Sequence, residues 1–494
     1  MTTAMTRTIL CKLVYCRRLG LLLTVLFAGL AAAAQVSAQP IGERPAVGTH
    51  LDQQDIEAGA YSLKKLQAAG QRLFDARFNT LDGQGRPEST GTGDPRAPGQ
   101  PAFIRTSAPE SNSCSGCHAQ PRSGGAGDMV ANVFVLAQAL DPVTESVSAQ
   151  FSNERNTLGM FGAGAIEMLA REMSDDLIAI REAASTQAIK SKAPVTVPLV
   201  TKGVSFGAVT VLPDGRIDPS AIEGVDWDLI VKPFHQKGAV VSLREFTNNA
   251  MNHHHGIQTV ERFGANTDPD NDGVANELSV GDVTAITVMQ AALPAPRPAH
   301  GQPARVERAI HSGEQTFVDI GCGRCHRAEL ILDTRHFSEP NPYNPPGNLQ
   351  VEDVLRPFEF DLLVSSNSSL VKPAGPGRLI IKAFTDLKRH NLNDAELDHF
   401  DNEQLPQGTL AGFADASDFT QAPLPRPTGE FLTRKLWDVG NSDPYGHRGD
   451  LTTLTEAIWF HGGDARAERD AFFALPDQRQ AAVIEFLKSM VVAE

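Results

Sequence analysis

Two pentapeptides constrain this chain more than any other feature: Cys114-Ser-Gly-Cys117-His118 and Cys322-Gly-Arg-Cys325-His326. The 494 residues contain 6 cysteines, and the two outside these motifs, Cys11 and Cys16, stand close to the N-terminus. Thiols three positions apart lie on one side of a helical turn, where both can add to the two vinyl groups of a porphyrin, and the histidine that follows then lies under the iron. Cys-x-x-Cys-His is accordingly the pattern of covalent c-type haem attachment. Zinc sites and redox dithiols also use this spacing, but neither requires a histidine after each pair. Two covalently bound haem c groups are expected, with His118 and His326 as proximal iron ligands.

The first segment places Arg7, Lys12, Arg17 and Arg18 before an apolar run and ends in Val36-Ser37-Ala38, small residues suited to cleavage. This reads as a secretory signal peptide over 1–38 and predicts a periplasmic protein with no stable membrane span. The formal net charge is −15, and removing a segment that carries only basic charges makes the remainder more acidic still. An acidic surface argues against nucleic acid as a partner and suits a small basic redox protein as electron donor.

Each motif follows a stripe of helical period: Leu63, Leu66, Gly70, Leu73 and Phe74 before the first, and Val306, Ile310, Gly313 and Phe317 before the second. A glycine on the stripe lets another helix cross closely, and Val483, Ile484, Leu487 and Met490 offer a partner. Helices crossing beside a haem are the cytochrome c arrangement. The expected fold is mainly α, two cytochrome c-like haem domains in tandem, 39–295 and 296–494. Residues 79–112 read as a long loop over the first haem, β-branched runs over about 194–234 as a small β insertion, and 291–304 as a linker.

The chain resembles the bacterial di-haem cytochrome c peroxidase superfamily, and within it the branch of thiol oxidoreductase-like di-haem oxidoreductases. Besides the haem motifs, the resemblance is carried by residues 155–167 (RNTLGMFGAGAIE), 237–238, 242–244, 384–390 (FTDLKRH), 444–449 (PYGHRG) and 453–461 (TLTEAIWFH). It implies that the N-terminal haem reduces peroxide while a six-coordinate C-terminal haem passes electrons to it. It also implies that His461 is the sixth ligand of the relay haem. That position is methionine in typical members and tyrosine in the enzyme that matures the tryptophan tryptophylquinone cofactor. A bis-histidine haem has a lower potential than a His/Met one, and the similar bacterial rubber oxygenase also uses bis-histidine ligation.

For proton transfer at the reacting haem the expected residue is Glu167, since the apolar stretch before it would desolvate the carboxyl and raise its pKa. One member of His253-His254-His255 can face the distal side of that haem, because adjacent helical histidines point in different directions. His390 and His447 lie in family-like segments and are candidates for contacts near the haems. Asp268, Asp270, Asp272 and Glu277 alternate around Gly273 as in a calcium loop, though the twelfth position is Ser279 and not a glutamate. Among the three tryptophans, Trp459 is best placed in sequence for an inter-haem bridge. Two further readings stay open: an electron-transfer cytochrome with both irons closed, and an oxygenase like the rubber-cleaving enzyme.

Overall fold

The helices that position the site are, in chain order, α1 (Leu63–Asp75), α2 (Ala163–Ser191), α3 (Leu243–Ala250), α4 (Val280–Ala291), α5 (Ala304–Asp319), α6 (Leu454–Trp459) and α7 (Asp477–Lys488). The computed structural model describes residues 41–85, 111–132, 154–269, 272–297, 301–365, 368–392, 394 and 429–492. The signal segment 1–38 and most of the 79–112 loop lie outside the described residues. The described residues from Pro45 onward form one compact unit.

The two haem motifs sit beside two helix crossings of one design. Helix α1 starts at Ser62, whose side chain accepts from the Lys65 N–H, and buries Leu66, Ala69, Gly70, Leu73 and Phe74. At Gly70 it meets α4 so closely that an added Cβ would stand 2.1 Å from the Ala285 carbonyl oxygen. Helix α5 repeats the device against α7, where a Cβ on Gly313 would lie 1.9 Å from the Ala482 oxygen. The sequence stripe thus marks both crossings, with the partner of α5 being the C-terminal helix as expected. Gly313→Val must push the helices apart, an overpacking that costs about 1–3 kcal/mol. A lowered thermal midpoint in that variant, with Gly313→Ala milder, is the expected measurement.

Helix α2 is 29 residues long. Its first turns are buried on nearly every side, whereas its far end buries Ala184 and Ala188 against Val211. Val211 belongs to a three-stranded antiparallel sheet of β1 (Val195–Thr201), β2 (Val204–Val211) and β3 (Ile217–Asp218), with Val197 opposite Val209 and Val195 opposite Val211. The insertion read from the sequence is therefore present, one strand larger than a hairpin.

The mainly-α expectation is corrected to a mixed one: 39% of the structure is helix and 15% strand, in several small sheets. The added strands, such as 330–332, 371–373 and 379–381, pair over only a few residues each. Segments this short satisfy their backbone groups locally without displaying a long alternating pattern.

Residues of both halves share a single hydrophobic core, and polar contacts join them beside it. Arg171 donates to the Ser338 and Pro340 carbonyls (both 3.1 Å), and Asn248 donates to Asn348 (2.8 Å). At the centre of this contact Arg244 is fully buried and donates to Glu261, Glu339 and Thr284. Its charge is compensated from two elements far apart in sequence.

Candidate haem cavities

Each Cys-x-x-Cys-His motif folds into a single helical turn. Cys114–Cys117 is α-helical and the His118 N–H closes it on the Cys114 carbonyl (2.9 Å); Cys322–Arg324 is a 3₁₀ turn, closed by the His326 N–H on Cys322 (3.0 Å). The imidazoles are then aimed by carbonyl acceptors. His118 Nδ1 donates to Gly125 (3.2 Å) and Leu158 (3.1 Å), and His326 Nδ1 donates to Phe384 (2.9 Å). Fixing the proton on Nδ1 leaves Nε2 of each ring as the lone-pair nitrogen, the orientation used by metal-ligating histidines. Phe74 of α1 stands 6.1 Å from the His118 ring, and Phe317 of α5 stands 5.9 Å from His326, so the two settings repeat one another.

Burial lowers the pKa of His118, and burial together with His461 lowers that of His326 to about 4, so both rings are neutral and able to ligate. Burial pushes the Cys114 and Cys322 thiols up to about 12. A redox dithiol needs a thiol pKa moved downward. These thiols are therefore poor free nucleophiles and fit a covalently capped role better.

The second cavity, about 2100 Å³ and partly continuous with solvent, is bordered by Cys322, Cys325, His326, Trp437, His447 and His461. Helix α6 begins with a capping box between Thr453 and Glu456, and just past its end His461 Nδ1 donates to the Ala457 carbonyl (2.7 Å). The His326 and His461 ring centroids are 6.4 Å apart. Two imidazoles on opposite sides of one metal, with bonds of about 2.0–2.1 Å and ring centres about 1.1 Å behind each nitrogen, stand about 6.3 Å apart. The gap matches one ion between the two rings.

The first cavity, about 1410 Å³ and also partly open, is bordered by Cys114, Cys117, His118, His235, His254 and His255. The histidine run lies in a π turn, Met251–His255, a distortion common at functional sites. His255 Nδ1 donates to the Ser111 carbonyl (2.6 Å) and its Nε2 lies 3.7 Å from Cys114 Sγ, so it serves the attachment side. His254 also borders the cavity, where burial and then nearby His118 lower its pKa to about 4. His235 joins it, in the left-handed backbone region (φ 62°) and lowered to about 4 by burial and then by His254. Nothing in the local sequence around His235 announces this role; the fold brings it in.

Glu167 is placed elsewhere. Its carboxylate accepts from the Leu243 N–H and from Asn341 (both 2.9 Å), and it does not border the first cavity. Burial, with Glu339 nearby, does raise its pKa to about 7. The carboxyl instead links α3 to the 336–350 segment through these two bonds. The acidic loop is likewise rearranged. Glu277 turns inward to accept from the Gln258 N–H (2.7 Å), and Asp268 caps the N–H groups of Asp272 (3.2 Å) and Gly273 (3.1 Å). Asp270 lies outside the described residues. Among the described residues, the group whose ligand atoms gather within 4.8 Å is Cys325, Asp386 and His390. His390 there donates to Asp386 (2.8 Å), and although burial opposes it, that bond and Cys325 raise its pKa to about 10.

Trp459 is 43% exposed, packs on Phe473, and does not border the second cavity; buried Trp437 does. His447 stacks on Phe431 (4.7 Å between centroids), and its buried Nε2 has no partner among the described residues. An orphaned donor facing a haem-sized cavity fits a group with anionic edges, and haem has two propionates. The residues present therefore fit haem in both cavities.

Residues 377–490 match the family model described as "Di-haem oxidoreductase, putative peroxidase". That stretch contains His390, Trp437, His447 and His461 but neither cysteine motif. Two solved structures are similar to the chain. One is hydrazine synthase of Kuenenia stuttgartiensis under xenon pressure, at 14% identity over 92% of this chain and 98% of that one, TM-score 0.35. The other is a MauG-like protein associated with microbial copper homeostasis, at 16% identity over 57% and 79%, TM-score 0.28. Likenesses of this size do not define a shared fold. No curated protein matches the chain. The match to a di-haem oxidoreductase family model supports a haem redox role for the chain. Over 377–490 the chain carries that family's domain. No helix among the described residues is long and apolar enough to cross a membrane.

Proposed function

We propose that this chain is a periplasmic di-haem c-type oxidoreductase that reduces hydrogen peroxide in the His118 cavity, with electrons entering through the His326 side. The observation that carries the reading is the asymmetry between the cavities. His461 stands 6.4 Å from His326, ring to ring, and closes that site for electron relay. The His118 cavity is instead bordered by two further neutral histidines, His254 and His235.

Bound haem supplies a redox-active iron on which the O–O bond of peroxide can break, consuming two electrons and two protons and yielding two waters. The chain's own work is proton handling and exclusion. A neutral ring nitrogen of His254 can take the proton from the near oxygen of peroxide and return it to the far one. His235 beside it is placed to pass protons onward. Phe74, Met160, Ile166, Leu243 and Phe246 border the same space and keep it largely apolar. The acidic surface suits a small basic protein as the electron donor. A calcium ion at the 268–277 loop has weaker support, given the inward turn of Glu277.

His254 also supports a second reading, in which its ring closes the first iron and the protein only transfers electrons. One variant separates the two by sign. If His254 carries protons, His254→Ala slows the reaction with peroxide by about 10²–10⁴-fold, and the ferric wild type shows one high-spin and one low-spin signal in electron paramagnetic resonance. If His254 is a sixth ligand, wild type shows two low-spin signals, the variant gains a high-spin one, and its peroxide reaction speeds up.

A further inference from the structure

The two cavities share a wall. Residues 156–159, Gln236 and 432–435 border both of them, and none of these is aromatic. Two adjacent cations, Arg434 and Lys435, stand in that wall. Lys435 is the weaker charge of the two: its Nζ donates to the Gly159 carbonyl (2.7 Å), and burial and then Arg434 lower its pKa to about 7, with nearby Asp438 opposing. Arg434 is half-buried in this wall and has no hydrogen-bond or ion-pair partner among the described residues, and desolvation there lowers its pKa to about 10. It is still a cation at neutral pH.

A half-buried guanidinium in the wall of an apolar cavity, with no anion beside it, is suited to an anionic partner that binds there. Its fork geometry selects carboxylates and phosphates. The carboxylates that a haem brings are its propionates. A residue that borders both cavities can be reached by a propionate from each side.

We propose that Arg434 is the counter-ion shared by propionates of both haems, with Lys435 as its support, so that one side chain ties the potentials of the two irons together. This rests on the di-haem reading above. A cation at the haem edge favours the reduced state, which carries one more negative charge, so removing it lowers the potential.

The test is spectroelectrochemical titration of wild type, Arg434→Gln and Arg434→Lys, after a pyridine haemochrome assay has fixed the haem content of each. Fewer than two haems per chain in wild type refutes the di-haem reading itself, independently of Arg434. With two haems present, Arg434→Gln is expected to move both oxidised-to-reduced ratios at fixed potential by about ten-fold toward oxidised, equal to 59 mV for a one-electron couple. Arg434→Lys keeps the charge but not the fork, and gives smaller shifts of the same sign in both haems. A shift confined to one haem, or none in either, overturns the proposal. Should Arg434→Gln not retain haem, the Arg434→Lys titration decides by the same criterion.

Discussion

On the di-haem proposal, replacing His461 by alanine is expected to convert the haem at Cys322 and Cys325 from low-spin to high-spin while leaving the His118 side unchanged. The geometry is specific. His461 Nδ1 is held by the Ala457 carbonyl at 2.7 Å, which leaves Nε2 to face His326, and the 6.4 Å ring separation leaves room for one ion and no second ligand. Alanine removes the donor atom without touching the capping box that begins α6. The open sixth position then admits water or peroxide, so the variant loses one low-spin signal in electron paramagnetic resonance and gains peroxide reactivity at the relay haem. His461→Met tests the electronic side. Methionine favours reduced iron, so the potential of this haem rises, by a fraction of the roughly 0.8 V that axial ligation spans. A low-spin signal that survives His461→Ala means the ring pairing is packing and some other group ligates the iron.

What the sequence displayed, and what it hid, follows from the range over which each feature is decided. The Cys-x-x-Cys-His pattern is complete within five residues, and the structure folds each copy into one helical turn, so this local feature is legible directly. The crossings at Gly70 and Gly313 were legible because a glycine on an apolar stripe has few other uses there. His461 became visible only through family resemblance, since its partner His326 is distant in sequence and their pairing is a property of the fold. The histidine run shows the limit of helical spacing. The run lies in a π turn, and both His254 and His255 border the cavity, where helical spacing predicts a single member. Glu167 shows the same limit for carboxylates. Its environment was readable from neighbours, but its direction was fixed by the Leu243 N–H and by Asn341, which are brought to it by other elements. Arg434 belongs to this second kind, a charge whose meaning appears only once both cavities are seen to share its wall.

The largest effect on stability is expected at Arg244. This guanidinium is fully buried and donates to Glu261, Glu339 and Thr284, while Glu261 also accepts from Asn248 (3.0 Å) and the Leu349 N–H (2.9 Å). Arg244→Leu preserves much of the apolar stem but leaves two buried carboxylates without their cation. Removing one partner of a buried pair costs about 3–5 kcal/mol. The loss should depend on pH in a defined direction. Burial raises the Glu339 pKa above its ordinary value, and Arg244 opposes that rise. Without the arginine the folded-state pKa climbs further, so the folded state holds more protons than the unfolded state above the ordinary carboxylate range. Stability therefore falls as pH rises through that window and recovers as pH drops below the unfolded pKa. Chemical denaturation followed at the haem Soret band should show the variant weakest relative to wild type near neutral pH and closest to it in mild acid. A deficit that stays constant with pH would assign the loss to packing, not to unpaired charge. Because this cluster joins helices of the first half to the 336–350 segment of the second, its loss also loosens the frame that holds the two cavities at their common wall.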